Sequence, residues 1–240
     1  ASGILKIKVA RRPTVGVIAT GYELIEPQNT PVPGKVFNVN SHSLCAYITQ
    51  YGGTPVNLGI VGDSFEELER TLESACRHDL VVFSGSTSVG KKDMLPGVMS
   101  AAGEILFRGV SMRPGGPTTV SIVKGKMVFL LPGFPVAAMI AFEKFVGPTI
   151  RKMMGAKILD PRAEVTAILT SRVPSTLGRL DIVRVNLRVN KEGVSLATPV
   201  RFSGSGIISS MTKADGLVEI PEDVEGLESG SKVIVKLFHK

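Results

Sequence analysis

Along the first 155 residues, short continuous apolar runs alternate with stretches whose apolar positions recur every three to four residues. Residues 15–20 (VGVIAT), 56–61 and 80–84 (LVVFS) have the length and continuity of buried parallel strands. Two helical patterns lie between them. In the first, Asn40 or Ser41 serves as cap, and Leu44, Ile48 and Tyr51 share one face before Gly52-Gly53 stops the helix. In the second, Ser64 and Glu67 stand at capping-box spacing ahead of Phe65, Leu68, Leu72 and Ala75 on one side. The pattern then predicts a helix over 94–102, a strand over 105–110 and a hairpin with its tip at Lys124-Gly125. A strand at 129–131 and a long helix over 136–154, closed by Gly155, complete this part. Strands and helices in this order imply a three-layer α/β fold with a mostly parallel sheet.

Near Pro161 the period changes from about 3.6 to 2. Alternation over 165–169, 182–189, 194–198 and 233–237, with turn signals at 190–193 and 228–231, predicts a small all-β unit. The expected division is therefore 1–155 and 156–240. Composition matters mainly for what it excludes. With 43% hydrophobic and 20% charged residues the chain is not disordered. No apolar run nears the roughly 18 residues of a membrane span, and no charged-then-apolar leader opens the sequence, so the expectation is a cytoplasmic protein with no membrane partner. Aromatics at 5% with no Trp argue against a nucleic-acid partner that stacks its bases. Cys45 and Cys76 sit in apolar stretches without metal-ligand spacing and read as packing residues. The net charge of +7 is concentrated in the α/β part, with sixteen basic against eleven acidic residues, and suggests an anionic partner.

Candidate chemistry gathers in the loops that leave predicted strand ends, where parallel sheets bind ligands. Residues 84–93 (SGSTSVGKKD) combine small residues, hydroxyls and Lys91-Lys92, a composition that lets backbone N–H groups approach a phosphate. The same stretch also fits a plain strand–helix connection. Asp93 is equally a helix N-cap or a carboxylate holding Mg²⁺ beside phosphate oxygens. Glu23, after Thr20-Gly21, is either solvated or functional. Arg113, in the rigid loop SMRPGGP, can clamp an anion bidentately. His42, His78 and His239 are scattered, so neither a metal cluster nor a Ser–His nucleophile is supported.

The motifs TGYEL, FNVNSHSL, LGIVGD, SGSTSVGKKD, SMRPGGP and LPGFP stand in the order found in molybdopterin molybdenumtransferases, the MoeA and gephyrin E-domain family, which the chain resembles over nearly its whole length. GRLDIVRV, GSGIISSMT and GLESGSKVIVKL resemble the same family's C-terminal β-barrel domain. The resemblance implies a molybdopterin-binding α/β domain followed by that barrel. It implies Mg²⁺-dependent insertion of molybdate into adenylylated molybdopterin with release of AMP. It also assigns roles by position. Glu23, Asp63 and Asp93 match acidic positions of the active site, with Glu23 and Asp93 as metal ligands. Ser84, Gly85, Ser86, Ser88, Gly90 and Lys91 match the phosphate loop. Thr20, Gly21, Asn40, Arg113, Pro114, Pro132, Gly133, Pro135, Arg179, Arg184 and Ser209 match further ligand-binding positions, and Asp181 falls in the same barrel motif.

Several positions depart from the family pattern. SGGVSVGxxD becomes SGSTSVGKKD at Ser86 and Thr87, TGDEL becomes TGYEL at Tyr22, and LPGNP becomes LPGFP at Phe134. KPGKP becomes RPGGP, so Gly116 stands where the family has the second of two lysines attributed to molybdate. That loss, and the shortness of the chain against full-length members, keep a second expectation open: a non-catalytic molybdopterin-binding paralogue or carrier module. Oligomeric state, dimer or trimer, is left open by the sequence.

Overall fold

The computed structural model describes residues 2–85, 94–200 and 204–238. In chain order the first part contains β1 (Thr14–Thr20), the short strands β2 (Leu24–Ile25) and β3 (Val36–Phe37), α1 (Asn40–Gln50), β4 (Thr54–Val61), α2 (Phe65–Ala75) and β5 (Leu80–Gly85). It continues with α3 (Leu95–Ala102), β6 (Gly103–Arg108), β7 (Met112–Arg113), β8 (Thr119–Val123), β9 (Lys126–Pro132), α4 (Pro135–Ala141), a π-turn (Phe142–Val146) and α5 (Gly147–Met153). The rest is β10 (Glu164–Leu169), β11 (Val173–Pro174), β12 (Leu180–Val189), β13 (Ser195–Pro199), the one-turn α6 (Ser209–Thr212), β14 (Gly216–Ile220), β15 (Gly226–Leu227) and β16 (Lys232–Leu237).

The first sheet has the order β4-β1-β5-β9-β8-β6. Its first four strands are parallel, and β8 and β6 continue it antiparallel. Because strand side chains alternate, β1 sends Val15 and Val17 to one face, with Leu44, Ile48 and Phe142. It sends Ile18 to the other, with Leu68, Leu72 and Val98. Two helical layers flanking a mostly parallel sheet is the predicted three-layer architecture. In the second sheet, β12, β13, β10, β16 and β14 close on themselves as a barrel around Val185, Ala197, Val218 and Val235. β7, from the first part of the chain, pairs parallel with the start of β12, with Asp181 opposite Arg113.

Several local expectations are corrected. Neither Asn40 nor Ser41 caps α1: Val39 holds the cap position, and Asn38 Oδ1 accepts from the Ser41 N–H at 3.2 Å. The chain enters this helix already turned, so the capping side chain comes from one residue earlier and Asn40 is released to point elsewhere. Ser64 does cap α2, accepting from the Glu67 N–H, but Phe65, the first residue of the helix, stays 38% exposed at the end of the buried stripe. The strand expected over 105–110 begins at Gly103, where a Cβ would stand 2.1 Å from the Ile122 carbonyl oxygen. The lack of a side chain there admits the close strand, so this glycine belongs to the sheet. The hairpin turn at Lys124-Gly125 takes positive φ at both residues, as its two-residue tip requires.

The long helix is continuous from Pro135 to Met153 but widens into a π-turn at its middle. There Glu143 and Lys144 both face the second sheet. Arg162, with a side chain only 2% exposed, holds Glu143 through Nη1 and Asp160 through Nε and Nη2, each of the latter at 2.8 Å. Lys144 and Lys236 meet on Glu219 at 2.6 and 2.9 Å. Burial pushes the Glu143 carboxyl up, to about 7, against the opposing pull of Arg162. Met112, Val136, Met139 and Ile140 pack with Ile182, Met211 and Leu217 beside this network, joining the two sheets through a common apolar core.

Candidate binding site

Parallel pairing of β1, β5 and β9 brings their carboxyl ends to one level, with Ala19 beside Ser84 and Ser84 beside Leu131. The next row, Gly85 beside Pro132, is where the strands open into a cleft of about 1180 Å³. Gly85 is required there: its φ is +157°, and a Cβ would stand 2.2 Å from both oxygens of Thr20. Thr20 and Ser84 are each 1% exposed and Asn40 9%.

Asn40 ties three elements together. Its Nδ2 donates to Ser84 Oγ at 2.7 Å and to the Gly133 carbonyl at 2.8 Å, while Ser84 Oγ donates to the Pro132 carbonyl at 3.2 Å. A carbonyl can only accept, which fixes the amide orientation and leaves Oδ1 as the free acceptor. Asn40 Oδ1 and Thr20 Oγ1 are both buried and have no hydrogen-bond partner among the described residues. Buried polar atoms are ordinarily paired, and a pair left open at one cleft floor calls for a ligand or water.

The opposite wall comes from β12 and the segments around it. Arg179 donates from Nε to Asp181 Oδ1 at 2.9 Å and from Nη2 to Oδ2 at 3.2 Å, and Ser175 Oγ donates to the same carboxylate at 2.9 Å. Asp181 is therefore engaged and neutralises much of Arg179. Arg184 is half-buried, and burial lowers the pKa of its guanidinium. Arg113 is exposed on the RPGGP loop, and Gly116 follows it in the same lining. The described lining thus carries three arginines against the carboxylates of Glu23 and Asp181, which favours an anion.

Glu23 reaches the cleft from the loop after β1. Gly21 makes room for it: a Cβ there would meet the Glu23 carboxylate at 2.7 Å. Asp63, beyond β4, faces Glu23 from outside the lining. Burial raises its carboxyl above the usual range, and the charge of Glu23 adds to the rise.

Of the positions singled out from the sequence, Thr20, Glu23, Asn40, Ser84, Gly85, Arg113, Pro114, Pro132, Gly133, Pro135, Arg179 and Arg184 line this cleft. Gly21, Asp63 and Ser209 do not: the first two stand behind Glu23, and Ser209 opens α6. Ser86, Ser88, Gly90, Lys91 and Asp93 lie outside the described residues. The lining also contains residues given no ligand-binding role from the sequence: Phe37 and the segment 204–206, which open the motifs FNVNSHSL and GSGIISSMT, and Val173. Two-residue strands such as β3 and β11 show no alternation from which a cleft-facing side chain could be picked.

A parallel sheet whose strand ends form a polar floor, faced by an arginine-bearing barrel, defines an α/β protein with a large cleft between sheet and barrel. Residues 16–152 match the family described as the probable molybdopterin binding domain, and residues 166–238 match the MoeA C-terminal region (domain IV). The chain is 35% identical to the molybdopterin molybdenumtransferase of Staphylococcus epidermidis, over 98% of this chain and 56% of that protein. It is 34% identical to the enzyme of that name from Bacillus subtilis, over 99% of this chain and 55% of that protein. The crystal structure of the molybdopterin biosynthesis MoeA protein from Pyrococcus horikosii superposes with a TM-score of 0.82 at 34% identity, covering 95% of this chain and 55% of that one. The chain belongs to the MoeA family of molybdopterin molybdenumtransferases, and it spans little more than half the length of these relatives. Among the described residues no helix is long and apolar enough to cross a membrane.

Proposed function

We propose that the cleft binds molybdopterin in its adenylylated form and that the chain acts in the Mg²⁺-dependent insertion of molybdate into it, with release of AMP. The observation that carries this reading is the pair of unpartnered buried atoms, Thr20 Oγ1 and Asn40 Oδ1, at the carboxyl ends of the parallel strands. The Thr20 hydroxyl donates to a phosphate oxygen. Asn40 Oδ1 only accepts, so it answers an N–H or O–H of the same ligand. Arg184 and Arg113 supply positive charge on the facing wall, and residues 84–93 supply backbone and lysine donors to the phosphates.

Glu23 is a hard oxygen donor at the cleft edge, the type that holds Mg²⁺ beside phosphates. Asp93 is the second proposed ligand. When bound, the ion offsets charge on the phosphates. Residues 1–155 are read as the binding domain and 156–240 as the domain that completes the cleft.

A second reading has one specific observation in its favour. Gly116 leaves Arg113 as the one cation of its loop, and such a chain suits binding without insertion. The experiment that separates them is incubation with adenylylated molybdopterin, Mg²⁺ and molybdate. AMP release supports insertion; bound pterin without AMP supports the carrier reading. Absence of both binding and release rejects the two together.

A further inference from the structure

Phe134 is 64% exposed, yet it lines the cleft. Tyr51, Phe83, Phe129 and Phe142 are buried in the cores, whereas Phe134 and, away from the lining, Tyr22 at 63% stand open. Exposure alone is ordinary for a single side chain, but a phenyl ring open at a cleft wall offers its face to whatever the cleft holds. Phe37 is the other aromatic ring of the described lining, and it is less open at 40%.

The backbone around Phe134 is fixed on both sides. Gly133 offers its carbonyl to Asn40 Nδ2 at 2.8 Å, and Pro135 begins α4. The Val136 N–H donates to the Ser205 carbonyl at 3.0 Å, pinning the loop to the segment across the cleft. Gly206 lies against the ring: a Cβ there would reach Phe134 Cδ1 at 3.5 Å. The ring is thus supported along one edge and held one residue from the hydrogen-bonded floor that leaves Asn40 Oδ1 open. A ring that is rigid, uncovered and adjacent to an unpaired acceptor is arranged to stack a flat heterocycle whose N–H edge meets that acceptor.

Resting on the reading given under Proposed function, we infer that Phe134 is the stacking platform for a flat heteroaromatic ring of the phosphate-bearing ligand, and so a specificity-determining residue of the cleft. A pterin and a purine share that chemistry, and adenylylated molybdopterin carries one of each.

The test uses AMP, 6-hydroxymethylpterin and ribose 5-phosphate as probes, with Kd measured by calorimetry on the wild-type chain, Phe134→Ala and Phe134→Tyr. Thermal unfolding of each variant checks that it folds. The expected result is that Phe134→Ala loses roughly tenfold or more affinity for one of the two ring-bearing probes. Phe134→Tyr retains it, and ribose 5-phosphate binds all three proteins alike. Loss with AMP assigns the platform to the purine; loss with hydroxymethylpterin assigns it to the pterin. Equal ring-probe affinities in wild type and Phe134→Ala, with phosphate binding intact, overturn the platform alone. Absence of binding by every probe to the wild-type chain overturns the cleft reading itself, and the platform with it.

Discussion

At the scale of single residues, the exchange of lysine for Gly116 has the largest chemical consequence. In the proposed reaction molybdate, a dianion, sits beside a ligand already bearing phosphate charge. One unit charge about 4 Å away is worth about 4 kcal/mol at an effective dielectric of about 20 before desolvation. A third of that is a decade in affinity. The φ of Gly116 is not in the left-handed region, but a Cβ would stand 3.1 Å from the Met112 carbonyl oxygen, so the loop must yield by a few tenths of an ångström. We expect Gly116→Lys to raise molybdate affinity about tenfold in equilibrium dialysis and to leave AMP affinity unchanged; no gain shows that another cation fills this role. Asp79 makes a separate prediction. Hydrogen bonds from Arg11, and from the N–H and hydroxyl of Thr14, hold its carboxyl well below the usual carboxylate range. A carboxyl whose folded pKa is depressed stabilises the fold fully above its unfolded pKa, near 3.9, and loses that contribution as pH falls. Asp79→Asn should therefore melt below the wild type at pH 7, and the two Tm values should converge between about pH 5 and 2. Many of the cleft residues were legible because loops at parallel strand ends are compositionally unusual. Asn38 as helix cap was not, since three neighbouring polar residues offer equivalent chemistry and only the path of the chain selects one.

Elements carry constraints that no residue type announces alone. The end of β5 must approach β1 closely enough that Gly85 touches Thr20, so Gly85→Ala should cost about 2 kcal/mol or more through clash and backbone strain. At this chain length that corresponds to a fall in Tm of at least about 4 °C, measurable by differential scanning calorimetry. A variant melting with the wild type would mean that the strand ends separate without cost. The π-turn is the second such element. It was invisible in the sequence because Phe142, Val146 and Ile150 keep an ordinary four-residue helical spacing through it. Its effect is to direct Glu143 and Lys144 together at Arg162 and Glu219. Arg162→Ala strips the buried Glu143 of its cation and should destabilise by about 3–5 kcal/mol, checked by urea denaturation. β14 also escaped the pattern reading. Gly216–Ile220 is a five-residue strand with four buried positions, so it shows no alternation to find.

For the molecule as a whole, the change of period announced a fold class that the chain adopts, an α/β sheet followed by a mostly β one. Periodicity describes faces within an element and is silent about what those faces meet. Met112, Val136 and Ile140 pack with Ile182 and Leu217, and the ion network of Arg162 and Glu219 runs alongside. Two bodies that share buried apolar and charged contacts should melt together, and calorimetry of the chain should show a single transition with equal calorimetric and van't Hoff enthalpies. Two resolved transitions would mean that the shared core adds little coupling. The two-residue strand β7 gives this union a directional meaning. Arg113 is registered against Asp181, and the Leu180 N–H holds the Ser111 carbonyl at 2.9 Å, so the barrel sets the cation's coordinates. The loop that carries Arg113 behaves as a gauge needle mounted on one part and read against a dial on the other. Under the proposed function, substitutions on the barrel surface would retune anion affinity without touching the cleft, which ties the two halves of this protein together under selection.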